Sequence, residues 1–284
     1  MTDEVCGTGF SRSPVSALAS RLDADLTAWR TRSLGAHASP SLSVDARSEH
    51  VRLAGRVVSQ GVLVVAGVLD DGVREVLAVE VADTESEASY QALFRSLKER
   101  GLQGVALVTS DDHRGLRSAI ARHFQGASWQ RCQVHVTRNL LAGVNRTQRR
   151  ALADDLRGIF AAAMDEQAQA SARAAADRWR PTHPAIATRL EEDLEDALTC
   201  LAFPAEHRVR IRTTNGLERL NQELKRRTRV VSIFPNPASL LRLVTALAME
   251  HSEEWVSGRR YLDMSLRTSP PPANQAVTPL AAAD

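Results

Sequence analysis

The hydrophobic pattern near the start of the chain has the period of a helix. In the segment SRSPVSALASRLDADLTAWR, apolar residues recur every three or four positions, at Val15, Leu18, Leu22, Leu26 and Trp29. This spacing predicts an amphipathic helix. Ser13 followed by Pro14 is typical of a helix start, because serine caps the first turn and proline fits the first helical position.

From residue 41 onward the pattern becomes that of strands. Leu42, Val44 and Ala46 alternate with polar residues, which predicts a half-buried strand. The next segment, GRVVSQGVLVVAGVL, is almost continuously apolar, as in a strand that is covered on both faces. The turn sequence DDG at 70–72 then leads into a returning strand, VREVLAVEVAD. These three segments predict an antiparallel meander.

Helical and strand patterns alternate in the following stretch. SEASYQALFRSLKERG and HRGLRSAIARHF have helical periodicity, whereas VALVTSD and ASWQRCQVHV are buried-strand patterns. Alternation of this kind is typical of parallel crossovers. We therefore predict an α/β fold with a mixed five-stranded sheet flanked by helices, in which two parallel strands extend the meander.

After about residue 136 the strand patterns disappear. Alanine-rich, charged segments predict a block of helices up to residue 210, and LEEDLEDAL within it is interpreted as a solvated helix with an acidic face. Another helix is predicted at 236–262, and the proline-rich end of the chain is expected to be disordered. The patterns divide the chain into five expected segments. These are an N-terminal helical segment (1–40), the first part of the α/β core (41–135), the helical block (136–210), the C-terminal helices of the core (211–264) and a disordered tail (265–284).

Composition narrows the class of protein. The chain is 43% hydrophobic and 25% charged, as expected of a soluble globular protein, and its net charge is only +2. Three widely spaced cysteines, Cys6, Cys132 and Cys200, suggest no disulfide framework, which fits a reducing cytoplasm. We find neither a signal peptide nor an apolar run of about 20 residues, so no membrane partner is expected.

Three acidic residues are candidates for a metal site. Asp45 projects from the first strand, on the face opposite Leu42 and Val44, and Asp111 ends the fourth strand. If these strands are parallel neighbours, both carboxylates meet at the edge where open α/β sheets bind ligands. With Glu218, at the start of a later helix, they would hold two Mg²⁺ ions roughly 3.5–4 Å apart, a pair suited to phosphoryl transfer.

Two of these acids also have a purely structural interpretation. Asp111, or Asp112 beside it, would cap the helix that follows the fourth strand. Asn215 and Glu218 have the spacing of a capping box at the start of their helix. The residues alone leave these alternatives open.

The segment CQVH, from Cys132 to His135, has the spacing of half a zinc site. No second half with matching spacing follows it, and Cys200 is isolated, so a structural zinc site is not predicted. His135, Arg138 and Asn139 are instead placed at the start of a helix, where they would contact phosphate.

The densest positive patch of the chain lies between Arg208 and Arg229. It contains eight arginine and lysine residues and two acids. A patch of this kind is typical of a surface that binds a polyanion, although a solvated basic face is the alternative.

At this point the chain resembles a known family. The segments SVDARSEHVRLAGRVVSQGVLVVAGV, VTSDDHRGL, WQRCQVHVTRNLL and TTNGLERLNQELKRRT resemble the mutator-type transposases of bacterial insertion sequences, over about residues 7–263. The resemblance implies a ribonuclease H-like core, with the helical block inserted before the helix that carries the last acid. It also implies an Asp-Asp-Glu catalytic triad that binds metal, at Asp45, Asp111 and Glu218.

Other site residues follow from the positive patch and from the resemblance together. The expected DNA-binding residues are Arg138, Arg219, Lys225, Arg226 and Arg227. The expected accessory residues are His113, Cys132 and His135.

The resemblance further implies cleavage and joining of DNA strands at the ends of an insertion sequence, with two Mg²⁺ or Mn²⁺ ions. The implied partners are double-stranded DNA, with its terminal inverted repeats and target, and further copies of the chain on that DNA, in the nucleoid of a bacterial cytoplasm. Family members usually carry a longer N-terminal region with helix-turn-helix elements, so we expect the chain to be truncated. Two alternatives therefore stay open: a non-catalytic DNA-binding remnant, and a ribonuclease H-like nuclease or resolvase.

Overall fold

The computed structural model describes residues 12–266. Five strands form one sheet: β1 (Ser41–Leu53), β2 (Arg56–Val68), β3 (Arg74–Ala82), β4 (Leu107–Ser110) and β5 (Ser128–Arg131). The helices in the first half of the chain are α1 (Arg12–Thr31), α2 (Glu87–Glu99), α3 (Arg114–His123) and α4 (Gln133–Ala142). Those in the second half are α5 (Arg149–Phe160), α6 (Asp165–Trp179), α7 (Pro184–Glu192), α8 (Glu195–Leu198), α9 (Ala205–Ile211), α10 (Asn215–Val231) and α11 (Pro237–Ser257). Short 3₁₀ turns lie at Thr199–Ala202 and Met264–Leu266.

The strands are arranged in the order β3-β2-β1-β4-β5. β1, β2 and β3 pair antiparallel, whereas β4 pairs parallel to β1 and β5 pairs parallel to β4. The second half of β2 is buried throughout, in agreement with its continuous apolar run. These observations confirm the predicted mixed five-stranded sheet flanked by helices.

The alternation along β1 separates the two faces of the sheet. Leu42 and Val44 belong to the core that packs against α2 and α3. The opposite face is covered by α10 and α11, and its core contains the predicted apolar stripe of α10, which is Leu217, Leu220 and Leu224. Since Asp45 alternates with Leu42 and Val44, it lies on the same face of the sheet as α10.

A third core lies among the helices that precede α10. It includes Val136 and Leu140 of α4 and buried residues of α5 to α8. At the end of β5, Arg131 Nη1 pairs with Asp193 at 3.1 Å, and Gln130 Nε2 donates to the carbonyl oxygen of Ala197 at 2.8 Å. The interpretation of LEEDLEDAL as one solvated helix is therefore wrong. The helix breaks after Glu192, and the segment docks on the sheet.

Some predicted boundaries also differ from the structure. The strand predicted over ASWQRCQVHV ends at Arg131, and Cys132 is the N-cap residue of α4. In α1, Leu26 is buried but Leu22 is 41% exposed, so the predicted apolar face is only partly covered. α11 ends at Ser257 because the following segment turns back, where Tyr261 and Leu262 donate to the carbonyl oxygen of Gly72.

Several predictions fall outside the part of the chain that can be described. These are the N-terminal segment before residue 12, with Cys6, and the tail from residue 267 onward. No helix within residues 12–266 combines the length and the apolar character that crossing a bilayer requires.

Candidate active site

The pairing of β1 with β4 places Asp45 beside Asp111. Ser41 pairs with Leu107, and Ser43 pairs with Thr109. Two residues further along the two chains come Asp45 and Asp111, and the negative charge of Asp111 is one of the factors that raise the pKa of Asp45. The two residues therefore lie at the same level of the sheet.

Asp45 is held from the side of α10. Its Oδ2 accepts a hydrogen bond of 2.7 Å from Asn221 Nδ2. Burial raises the pKa of the Asp45 carboxyl to about 6, against the lowering effects of the Asn221 hydrogen bond and the nearby His135. An ionised Asp45 is therefore costly in this environment unless a cation compensates its charge.

A polar network next to Asp45 fixes α10 on β1. Arg47 Nη1 donates to the carbonyl oxygen of Asn221 at 2.9 Å and the Arg47 side chain pairs with Glu49. Glu49 Oε1 in turn accepts a hydrogen bond of 2.8 Å from Thr228 Oγ1. These contacts set the position of α10, and hence of Glu218, relative to Asp45.

Glu218 lies in the first turn of α10 but does not take part in a capping box. Thr214, not Asn215, is the N-cap residue, and its side chain makes no capping hydrogen bond. The backbone N–H of Glu218 donates to the carbonyl oxygen of Thr214 at 2.9 Å, as in an ordinary helical turn. Glu218 Oε1 is buried and has no hydrogen-bond partner among the described residues. The capping-box alternative is therefore wrong, and the carboxylate is left for another role.

His135 lies near both Asp45 of β1 and Glu218 of α10. Its Nε2 is 3.7 Å from Glu218 Oε1. The hydrogen bond with Cys132 raises the pKa of His135, as do the charges of Cys132, Asp45 and Glu218, whereas burial lowers it. His135 thus interacts with both Asp45 and Glu218, although these acids are far apart in the chain.

Cys132 is fully buried behind His135. Its Sγ accepts hydrogen bonds from the N–H and the Oγ1–H of Thr214, each at 3.4 Å. Burial raises the pKa of the Cys132 thiol, but the hydrogen bonds from His135 and Thr214 outweigh it, and the net effect is a lowered pKa.

Cys132, His135 and Glu218 each offer a metal-ligating atom, and these atoms lie within 4.8 Å of one another. Within residues 12–266, Asp45, Asp111 and Glu218 do not form an equally compact set. Sequence reasoning missed the cluster because its third member lies on a helix much later in the chain.

Asp111 is not the cap of α3. That cap is His113, whose Nδ1 accepts a hydrogen bond of 3.3 Å from the N–H of Leu116. Asp112 pairs with Arg117 and Arg131, each at 3.2 Å. The carboxylate of Asp111 forms no ion pair in the described part of the chain, so the alternative that Asp111 or Asp112 caps α3 is wrong.

Glu85 adds negative charge to this region and was not foreseen from the sequence. Burial raises its pKa, and the charge of Asp111 raises it further. Burial also raises the pKa of Tyr90, and the charges of Glu85, Asp111 and Asp45 raise it further. The site thus concentrates carboxyl groups, which is a suitable environment for a hard divalent cation.

The predicted DNA-binding residues are all exposed: Arg138, Arg219, Lys225, Arg226 and Arg227. Two of them are paired, since Glu223 accepts from Arg226 Nη2 at 2.7 Å and from Arg227 Nε at 2.9 Å.

Two other arginines of the patch form hydrogen bonds within the fold. Arg208 donates to three backbone carbonyl oxygens, and Arg212 donates to that of Phe160 at 3.2 Å. The free positive surface is therefore smaller than the sequence indicates.

Three relatives found by comparison with known proteins are all transposases for insertion sequence elements. The chain is 46% identical over 257 residues to the transposase for insertion sequence element IS406 of Burkholderia multivorans, a match that covers 90% of this chain and 66% of the relative. It is 43% identical over 264 residues to the transposase for ISRM5 of Rhizobium meliloti, covering 93% and 66%. A third relative, the transposase for IS256 in transposon Tn4001 of Staphylococcus aureus, is 36% identical, and the match covers 93% of this chain and 68% of the relative. The chain spans about two thirds of the length of these relatives.

Among solved structures, a Drosophila P element transposase strand transfer complex covers 78% of this chain and 66% of the matched chain, with a TM-score of 0.27 and 9% identity. The family model described as "Transposase, Mutator family" matches residues 1–258. The chain belongs to the Mutator family of transposases.

Proposed function

We propose that this chain is the catalytic part of a transposase that cleaves and joins DNA strands at the ends of an insertion sequence. Asp45, Asp111 and Glu218 would hold two Mg²⁺ or Mn²⁺ ions. The strand order and strand directions support a ribonuclease H-like core, and helices α5 to α9, with their own apolar core, fit an insertion before α10. The same proposal includes assembly of several copies on DNA.

The residues present fit hard divalent cations. Asp45 and Asp111 lie at one level of the sheet, and Asp45 is half-buried, with desolvation raising its pKa despite the opposing charge of the nearby His135. Glu218 Oε1 is a buried oxygen without a hydrogen bond from the described residues. Carboxylate oxygens of this kind are the ligands that Mg²⁺ and Mn²⁺ prefer.

When bound, a pair of such ions stabilises both the attacking and the leaving oxygen of an in-line displacement at phosphorus. Asn221 and Arg47 fix the distance between β1 and α10, so that Asp45 and Glu218 are oriented before DNA binds. The exposed Arg138, Arg219 and Lys225 would hold DNA phosphates beside the acids. Cleavage uses water as the nucleophile and joining uses a DNA 3′-hydroxyl, so no bond between protein and DNA is needed.

One observation carries this proposal. Helix α10 lies on the face of β1 that bears Asp45, is hydrogen-bonded to Asp45 through Asn221, and presents Glu218 to His135, which also interacts with Asp45. Neither helix capping nor the packing of α10 requires a carboxylate without a hydrogen bond at this position.

The test is cleavage of duplex DNA that carries the inverted repeats of an insertion sequence, with Mg²⁺ or Mn²⁺ and with a chelator. Three amide variants, Asp45→Asn, Asp111→Asn and Glu218→Gln, are each expected to abolish metal-dependent cleavage. Asp112→Asn is the matched control, since Asp112 is adjacent to Asp111 but pairs with arginines. Metal-independent cleavage, or full activity in any of the three amide variants, would contradict the proposal.

A further inference from the structure

The cluster of Cys132, His135 and Glu218 has a ligand chemistry different from that of the proposed magnesium site. It combines a thiol, an imidazole and one carboxylate, whereas Mg²⁺ is bound through oxygen. Thiolate and imidazole are the ligands that zinc and neighbouring transition metals prefer. The cluster is formed by the start of α4 and the first turn of α10.

We propose that Cys132, His135 and Glu218 form a binding site for a zinc-class transition metal ion. Their ligand atoms lie within 4.8 Å of one another, and His135 Nε2 is 3.7 Å from Glu218 Oε1. Bond lengths of about 2.0–2.3 Å place the ligand atoms of a tetrahedral zinc ion roughly 3.3–3.8 Å apart. Small side-chain movements would therefore close the cluster around an ion.

An unsatisfied polar atom points to the same place. Glu218 Oε1 is buried and has no hydrogen-bond partner among the described residues. Buried polar atoms are normally satisfied, and a bound ion is one of the ways in which they become so. Whichever ring nitrogen of His135 binds the ion, Glu218 Oε1 would gain a close ligand contact in addition to its long 3.7 Å contact with His135 Nε2.

The surroundings of Cys132 suit a metal-bound thiolate. Two donors of Thr214, its N–H and its Oγ1–H, point at the sulfur. Hydrogen bonds to a ligand from outside the first coordination sphere orient it and tune its affinity for the metal. The sulfur of Cys200, the other described cysteine, accepts a longer contact of 3.7 Å from Gln133 Nε2, and burial raises the pKa of Cys200 to about 11.

Three ligands leave one position of a tetrahedral ion open for water or for a phosphate oxygen. Glu218 is shared with the proposed magnesium site, so a zinc-class ion would compete with Mg²⁺ for this carboxylate. This competition rests on the proposed function, but the binding site itself does not.

The experiment uses Co²⁺ as a spectroscopic substitute for zinc. In the double variant Cys6→Ser/Cys200→Ser, Cys132 is the single cysteine of the chain. We expect this variant, freed of metal by a chelator, to bind one Co²⁺ ion with a thiolate-to-cobalt charge-transfer band, and Zn²⁺ to abolish the band by displacement. Adding Cys132→Ser should remove the band. Thermal unfolding of each metal-free variant shows that it is folded.

Further variants test the other ligands. Adding His135→Gln or Glu218→Gln should weaken Co²⁺ binding by at least about 10-fold, and Thr214→Val should do so by about 10- to 100-fold through loss of the hydroxyl hydrogen bond. The proposal is overturned if the Cys132-only chain binds no Co²⁺ or shows no charge-transfer band. It is equally overturned if affinity is unchanged in both His135→Gln and Glu218→Gln, because Cys132 alone would then bind the metal. None of these readouts depends on DNA cleavage.

Discussion

His135 and Glu218 face each other between α4 and α10, with Nε2 of the histidine 3.7 Å from Oε1 of the glutamate. This contact joins α4, the helix that follows β5, to α10, the helix that carries most of the positive patch. Glu218, an acid in the first turn of a basic helix, thus contacts a residue of another helix and does not cap its own.

The position of Glu218 leads to a prediction about stability. Because its side chain makes no capping hydrogen bond, Glu218→Gln should lose only the interaction with the helix dipole, about 0.3–1 kcal/mol, and the long contact with His135. We expect the free energy of unfolding of the metal-free chain to change by no more than about 1 kcal/mol. A much larger loss in denaturant unfolding would show that Glu218 stabilises the fold.

A second prediction concerns Asp45 and pH. Its pKa is about 6 in the fold, against an ordinary value of 3.8, so the folded state binds the proton more tightly than the unfolded chain. Stability from this group is present at low pH and is lost as pH rises through the interval between these values. In the presence of a chelator, Asp45→Asn should therefore stabilise the chain at pH 8 by up to about 3 kcal/mol, and the gain should shrink as pH falls toward 5.

Thermal unfolding across this pH range, with and without Mn²⁺, is the measurement for Asp45. Bound metal should stabilise the wild type and remove the advantage of the variant, since it favours the ionised carboxylate. A variant that is less stable than the wild type at pH 8 without metal would contradict the view that desolvation destabilises the ionised Asp45 carboxylate.

Much of the fold could be predicted from residue patterns, because period-two and period-3.6 alternation are local properties of the chain. Leu42 and Val44 identify one face of β1, and Leu217, Leu220 and Leu224 identify the buried stripe of α10, as the structure confirms. The boundary at Cys132 was missed, since Val134 and Val136 continue an apolar alternation that also fits the first turn of a helix.

The remaining features depend on contacts between distant segments. Glu218, which completes the cluster with Cys132 and His135, lies on α10. The acids of LEEDLEDAL form ion pairs with arginines of β5 and α3, such as the pair of Asp193 with Arg131. No spacing rule connects such residues. Similarly, the sequence shows the density of positive charge around Arg226 but not that Glu223 neutralises part of it.

The pairing of Glu223 leads to a third prediction. Removing this carboxylate frees Arg226 and Arg227 for phosphate, so Glu223→Gln should tighten binding to unrelated duplexes by a few-fold. It should also steepen the dependence of log K on log salt, by about 0.9 for each additional phosphate that the chain neutralises. The double variant Arg226→Gln/Arg227→Gln should weaken binding about equally for all sequences and flatten that dependence.

Fluorescence anisotropy with two unrelated duplexes at several salt concentrations measures this effect. Arg180→Gln is the control, because Arg180 is also exposed and paired with a carboxylate, but follows α6, away from the basic patch. An effect confined to one of the two duplexes would indicate base recognition and contradict a phosphate-binding role.

A fourth prediction concerns the junction that carries Asp111. A Cβ atom at Gly115 would lie 2.6 Å from the backbone nitrogen of Glu87, so α2 and α3 approach too closely for a side chain here. Gly115→Ala should destabilise the chain by about 1–3 kcal/mol, since backbone must move. Gly158→Ala is the matched control in α5, where nothing lies within 4 Å, and it should stabilise by about 0.5–1 kcal/mol. Equal effects of both substitutions in denaturant unfolding would contradict this packing.

The proposed function requires that Asp45, Asp111 and Glu218 together bind catalytic metal. Anomalous diffraction of Mn²⁺, in crystals of the chain grown or soaked with that ion, shows directly where the metal lies. We predict anomalous peaks bounded by the carboxylates of these three residues, and loss of a peak in Glu218→Gln crystals of the same form. Manganese bound elsewhere, with no peak between Asp45 and Asp111, would contradict this assignment.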